Sequence, residues 1–183
     1  MMYALKPITP ADLSRIYPRL IRDFPPEERK KEDHIRRQME SGIEEGWLLM
    51  EGDREAGYAF IVHHPEVPFV LLDYLAAEVH GQGAGSALLE LLKEHYPQGM
   101  MAEVEDPDWA EGDERAVRLR RLNFYRRAGY TPTPFENEIF TVHYLLHVWP
   151  EKPARAVAEA LSHLYWLQVP EELYRKYVHI AVP

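Results

Sequence analysis

The chain of 183 residues contains no cysteine. That absence removes disulfides, thiolate nucleophiles, acyl-cysteine intermediates and cysteine-based zinc sites together. It fits a reducing cytosol. Long apolar runs are missing too. No stretch is long enough to span a bilayer, and Met1 to Lys6 lacks the apolar core of a signal peptide. Basic residues are outnumbered, 21 Lys and Arg against 30 Asp and Glu, for a formal net charge of −9. A field of that sign disfavours nucleic acid and anionic membrane, and mildly attracts a cationic partner such as an amine or polyamine. It also simply keeps a protein soluble. The expectation is a cytoplasmic protein without nucleic-acid or membrane partners. Hydrophobic residues make up 46% and charged residues 28%, a globular balance. One domain of this length can bury a core without staples.

Tyr3 to Ile8 reads as a first strand. Thr9-Pro10 reads as a helix start, with Thr9 as cap and Pro10 at the first helical position. Leu13, Ile16, Tyr17 and Leu20 follow at helical spacing. Pro25-Pro26 breaks that helix, and Glu27 to Glu40 resumes as a charged one. Trp47 to Glu51 and Glu55 to His63 read as strands joined by a tight Gly52-Asp53 turn. Phe69 to Ala77 is a central strand. Gly83 to His95 is a helix whose Ala84, Leu88, Leu91 and Leu92 share a face. Met100 to Glu105 is a short strand and Asp106 to Gly112 a loop. Glu114 to Ala128 is a helix stopped by Gly129. Phe135 to Trp149 reads as extended. The order implies an α/β domain with a mixed sheet flanked by helices, over residues 1–149. After Pro150 the character changes: Pro153 to Leu167 forms an amphipathic helix, then a short tail, so 150–183 is expected as a helical extension. That helix either caps a binding site or pairs with another subunit as a homodimer.

Chemistry concentrates in His80-Gly81-Gln82-Gly83-Ala84-Gly85-Ser86, between the central strand and a helix. Closely spaced glycines let backbone N–H groups converge, and the helix adds its positive end, so the natural guest is a phosphate or pyrophosphate. A dinucleotide fingerprint fails, because its third glycine falls on Leu88 or Ser86. A Walker A loop fails for want of lysine. A plain strand-to-helix turn is the remaining reading. A second stretch, Leu122-Asn123-Phe124-Tyr125-Arg126-Arg127-Ala128-Gly129-Tyr130, closes the later helix; by itself it also reads as core aromatics at a helix end.

Together, in this order, the two stretches resemble the hallmarks of the GNAT superfamily of acyl-CoA-dependent N-acetyltransferases, over residues 2–149. The first resembles Q/R-x-x-G-x-G/A, with His80 in the first position, Gly83 in the fourth and Gly85 in the sixth. His80 replaces the usual Gln or Arg. The second resembles F-Y-x-x-x-G-F. Two further stretches, Phe24 to Arg29 and Glu103-Val104-Glu105, are similar to a bacterial branch of that superfamily. The resemblance implies acetyl-CoA as co-substrate. The backbone of Gln82 to Ser86 (Gln82, Gly83, Ala84, Gly85, Ser86), with His80 and Gly81, would hold the pyrophosphate. Leu75, Ala76 and Ala77 would pair with pantetheine as an added strand does, and Phe124 would flank the cofactor. Tyr125 would protonate the leaving thiolate. The place often held by asparagine, about two turns before that tyrosine, is Arg118. The implied function is acetyl transfer to a primary amine of a small molecule by direct attack, with an acyl-CoA-sensing module and a protein N-acetyltransferase as alternatives.

An amine acceptor arrives as an ammonium and must lose a proton. The carboxylates that could take it are Glu105, Glu103 and Asp73, in that order, with a water relay equally open. Glu103 and Glu105 share one side of their strand by alternation, about 7 Å apart, where each would raise the other's pKa if partly buried. A solvated edge is the plain alternative. Asp73, among Leu71, Leu72 and Leu75, needs a partner or a purpose. His63-His64 and His143 with His147 make no metal site. Adjacent strand residues face opposite ways, and a spacing of four spans about 13 Å.

Overall fold

The computed structural model describes residues 3–78, 81 and 83–181. The chain divides into two compact units, one running to Pro65 and resuming over Leu72–Pro97, the other made of Glu66–Leu71 and Gln98–Pro183. The first holds β1 (Tyr3–Ile8), α1 (Leu13–Asp23), a 3-10 turn at Pro26–Glu28, α2 (Glu32–Ser41), β2 (Glu44–Glu51), β3 (Arg54–Val62), most of β4 (Val70–Ala77) and α3 (Ala84–His95). Its strands run in the order β1-β2-β3-β4. β1 and β2 are antiparallel from Tyr3 opposite Glu51 to Ile8 opposite Gly46. β2 and β3 are antiparallel around the two-residue turn Gly52-Asp53, where Gly52 takes φ +60°. Leu13, Ile16 and Leu20, spaced to fall on one face of α1, pack with Ile35, Ile8, Leu48, Tyr58, Phe60 and Tyr74 in a buried cluster. Leu88, Leu89 and Leu92 are the buried stripe of α3, which packs on β1 and β3.

The second unit holds β5 (Met100–Glu105), a 3-10 turn at Pro107–Trp109, α4 (Gly112–Arg127), β6 (Thr131–Ile139), β7 (Val142–Trp149), α5 (Ala154–Gln168), α6 (Glu171–Tyr177) and β8 (Val178–Ile180). Its strands run β5-β7-β6-β8, each pair antiparallel. α5 buries Val157, Ala158, Ala160, Leu161 and Leu164 and packs on β6 and β8. All eight strands belong to one mixed sheet. This is the expected α/β class.

Four segments differ from the sequence expectation, each for a physical reason. Helix α1 starts at Leu13 rather than Pro10. Its N-cap is Asp12 rather than Thr9, and the two residues bond each other ahead of the helix: Thr9 N–H and hydroxyl donate to Asp12 Oδ2 (2.9 and 2.6 Å) while Asp12 N–H donates back to Thr9 Oγ1 (3.3 Å). The charged run after Pro26 is not one helix. Arg29 and Lys31 are extended, because the Lys30 N–H donates to Tyr74 Oη (2.8 Å) and its carbonyl accepts from Tyr17 Oη (2.9 Å), which removes Lys30 from any helical ladder. The apparent single extended run of 135–149 is a hairpin whose two-residue turn is Phe140-Thr141, at φ +47° and +72°. Neither residue suits the left-handed region, so no turn signal shows in the sequence. The chain holds the turn from outside: Phe140 N–H donates to the Tyr177 carbonyl (2.8 Å) and the two rings stack at 5.4 Å. The tail, finally, is ordered into α6 and β8, with Asn137, Glu138 and Ile139 of β6 opposite Ile180, His179 and Val178.

Thr141 is β-branched, and a left-handed conformation costs such a residue on the order of 1–2 kcal/mol. Thr141→Gly is therefore expected to raise the melting temperature by about 2–4 °C. Calorimetry showing an unchanged or lower midpoint would contradict strain at this turn.

Candidate active site

The glycine turn follows β4 in the first unit. Gly81 and Gly83 both adopt φ +79° with open space where a Cβ would stand, so backbone conformation rather than packing demands glycine there. His80 and Gln82 lie outside the described residues. Gly83 is the N-cap of α3, and Ala84, Gly85 and Ser86 form its first turn. The first hydrogen bond along the helix runs from Ala87 N–H to the Gly83 carbonyl (2.9 Å). The amides of a first helical turn have no acceptor within the helix. α2, α4 and α6 fill that position with Glu or Asp, whereas α3, like α1 and α5, carries no acidic residue there. What sets α3 apart is the pair of left-handed glycines ahead of it, and its first turn offers N–H groups at a positive helix end. Leu75, Ala76 and Ala77, half-buried, close β4 just before it. A Cβ at Gly57 would stand 2.7 Å from the Ala76 carbonyl, so that glycine lets β3 approach β4 closely.

Asp73 precedes this stretch on β4, and it is not alone. Its Oδ2 lies 2.8 Å from Lys30 Nζ, which also reaches Glu44 Oε2 at 3.3 Å. The Glu44 side chain is 0% exposed, against 13% for Asp73 and 18% for Lys30. Burial pushes the Glu44 carboxyl up to about 8; Lys30 opposes that rise and Asp73 reinforces it. Burial pulls Lys30 down, but the carboxylates of Asp73 and Glu44 outweigh it and hold the ammonium above its ordinary range. Half-buried His34 on α2 is pushed down by burial and by Lys30 and Arg37, so it favours the neutral form. Neither Lys30 nor Glu44 gives a sequence signal: one sits in a charged run, the other opens an amphipathic strand.

The other candidates lie in the second unit. Glu105 is buried between Arg121, which donates to its Oε2, and Arg118, whose Nε lies 3.5 Å from Oε1. Arg118 also donates to the Asp106 carbonyl (2.9 Å) and to Glu114 (2.6 Å). Glu103 accepts from the Tyr165 hydroxyl on α5. The expectation of two neighbouring carboxylates raising each other's pKa is thus corrected. Their alternation along β5 holds, but Glu105 is neutralised by two guanidinium groups and Glu103 is engaged by a phenol. A carboxylate stabilised by two cations is a poor proton acceptor, which removes the ground for ranking Glu105 first.

Phe124 and Tyr125 lie at the end of α4, both partly buried. Their rings meet edge to face at 5.2 Å, and Tyr130 lies 5.3 Å beyond Tyr125 at 72°. Burial pushes the Tyr125 phenol up to about 12, with Arg121 opposing. It stays protonated throughout the physiological range.

No protein-family model matches the sequence, and no curated protein matches it. Solved structures do. The chain is similar to a Bacteroides thetaiotaomicron protein described as a GNAT-family acetyltransferase, at 24% identity and a TM-score of 0.74, over 88% of this chain and 95% of that one. The chain has the GNAT acetyltransferase fold. The same GNAT likeness extends to Arabidopsis thaliana NAA60 in complex with acetyl-CoA (14% identity, TM-score 0.62, 81% of this chain and 98% of that one). It extends also to the ribosomal-protein-S18-alanine N-acetyltransferase of Escherichia coli (17%, TM-score 0.60, 80% and 92%). In this GNAT fold the glycine turn opens α3 and Tyr125 sits in the last turn of α4.

The Glu44 environment makes stability depend on pH. Its carboxyl is raised from 4.5 to about 8 in the folded chain. Between those values the unfolded chain gives up a proton that the folded chain keeps. The stability contributed by protonated Glu44 is complete below about 4.5 and lost as pH climbs through about 8. Melting temperatures across that window are expected to fall for the parent protein and to fall less steeply for Glu44→Gln. Parallel curves would contradict a protonated Glu44.

Proposed function

We propose that the chain is an acyl-CoA-dependent N-acyltransferase that moves an acetyl group from acetyl-CoA to a primary amine of a small molecule by direct attack. The observation that carries the reading is the start of α3: Gly81 and Gly83 in left-handed conformations ahead of a helix whose first turn holds no carboxylate, in a GNAT fold. The pyrophosphate would accept from the amides of Gly83 to Ser86, with His80, Gly81 and Gln82 completing the loop. Pantetheine amides would pair with Leu75, Ala76 and Ala77, whose N–H groups would also polarise the thioester carbonyl. Support for this donor comes from the NAA60 neighbour, whose structure holds acetyl-CoA.

The amine nitrogen attacks the thioester carbon, the C–S bond breaks and sulfur takes the electron pair. Tyr125 gives the sulfur its proton. A phenol held near 12 is a weaker acid than a thiol, so it acts as thiolate charge develops, first as a hydrogen-bond donor. A carboxylate or a water takes the proton of the arriving ammonium. The net charge of −9 favours cationic acceptors. Acetylation of a protein is the second reading, favoured by the E. coli neighbour, which acts on an alanine of a ribosomal protein. The transferase domain is read as 1–149, and 150–183 as an extension that contributes α5, α6 and β8.

Ligand-dependent melting tests the donor. Acetyl-CoA or CoA at about a hundredfold excess over its dissociation constant should raise the midpoint by about 5–10 °C, and NAD should not. No shift with any of the three would remove the cofactor site.

Tyr125→Phe should lower kcat about a hundredfold or more while changing acetyl-CoA affinity little. Equal turnover would exclude the phenol as the acid.

A further inference from the structure

Helix α5 carries two stripes. Val157, Leu161, Leu164 and Gln168 are buried in the packing of the helix on β6 and β8. Glu159, Ser162, His163 and Trp166 make the second stripe, spaced to share another face of the helix. Trp166 is 46% exposed, which the core does not explain. Together with Tyr174 of α6, this second stripe lines an open cavity of about 380 Å³ within the second unit. That volume suits a small molecule, and none of the five residues has a part in the transfer proposed above.

The walls are fixed in place. The Tyr165 hydroxyl, next to Trp166, donates to Glu103 of β5. α6 packs on α5 and β8, and β8 pairs with β6. The hydroxyls of Ser162 and Tyr174 lie 2.6 Å apart, which holds the phenol against α5. The Trp166 and Tyr174 rings stand at 82° with centroids 5.2 Å apart, as two walls of a corner. Glu159 supplies a carboxylate about two turns before Trp166 on the same face. It meets Arg155 at 2.8 Å, but with the two side chains 53% and 70% exposed that pair is weak, and the carboxylate stays open to a second cation. His163 already has a partner.

Aromatic faces attract a cation through their quadrupoles, and a nearby carboxylate adds to the attraction. The two hydroxyls are engaged with each other, so the cavity offers little to an ammonium that must place several N–H donors. A methylated ammonium has few or no N–H groups to satisfy, and its methyl groups pack on aromatic rings. We propose that the cavity between α5 and α6 binds a small methylated ammonium compound, with Trp166 and Tyr174 as its walls and Glu159 as its counter-charge. The net charge of −9 favours the approach of such a cation.

The test is NMR titration of the full chain, following the Trp166 indole N–H, with choline, its uncharged carbon isostere dimethylbutanol, and ethanolamine, which keeps the tail and lacks the methyl groups. Choline should shift the indole signal saturably, and the other two should bind about tenfold more weakly or worse. Trp166→Leu keeps apolar bulk at an exposed position and should lose about tenfold in choline affinity, read from the choline methyl signals, with an unchanged melting temperature. Tyr174→Phe keeps the ring and should bind choline as the parent does, whereas Glu159→Gln should weaken it severalfold. Equal binding of dimethylbutanol would make the cavity a plain apolar groove and overturn the proposal. Tighter binding of ethanolamine, parent affinity in Trp166→Leu, or no saturable shift with choline would overturn it too. Choline has no N–H to exchange for an acetyl group, so failure here leaves the transfer reading untouched.

Discussion

One phenol holds the first unit's chemistry in place. Tyr74, on β4, accepts from the Lys30 N–H (2.8 Å) and donates to the Glu28 carbonyl (3.0 Å). Its ring lies edge to face with Phe24 at 4.9 Å and Phe60 at 6.2 Å, inside the α1 and α2 core. The segment between the helices is thereby pinned to β4 at two backbone groups. That pinning is why residues 29–31 are extended, and why Lys30 sits within ion-pair distance of Asp73. Without it, the Lys30 N–H would lose its acceptor and the Lys30 ammonium its fixed place beside the buried Glu44 carboxyl.

The same unit sets two different electrostatic environments a few residues apart. β4 passes Asp73, where one ammonium is shared by two carboxyl groups, then reaches a turn whose amides and helix end present positive charge. The proposed acyl-CoA co-substrate carries an anionic pyrophosphate at one end and a thioester at the other. The glycines at 81 and 83 permit the second environment and Lys30 tempers the first. In the second unit the arrangement is quieter: Arg118 and Arg121 neutralise Glu105, and Tyr125 keeps its proton.

Much of this was legible in the residues. Periodicity located α1, α3 and α5, Gly129 marked the end of α4, and the glycine spacing marked the turn, because these are local properties. What escaped was non-local. The Phe140-Thr141 turn has no turn residues, and it exists because Tyr177, far along the chain, holds it. The Glu27 to Glu40 run has helical composition, yet two phenols claim the Lys30 backbone. Glu44 carries no mark of its role, since a carboxylate's proton affinity is set by what folds around it. Glu105 misled for the same reason: two arginines on a helix that begins seven residues later decide its charge state, and no strand alternation reveals them.

The most direct measurement is transfer itself. The protein is incubated with acetyl-CoA deuterated in its acetyl group, together with a pool of primary amines and short peptides, and every acceptor is read by mass spectrometry. The account predicts deuterated acetyl on the nitrogen of one class of amine, with CoA released in equal amount. CoA release without a labelled amine, or no release at all from a protein that binds acetyl-CoA, would contradict it.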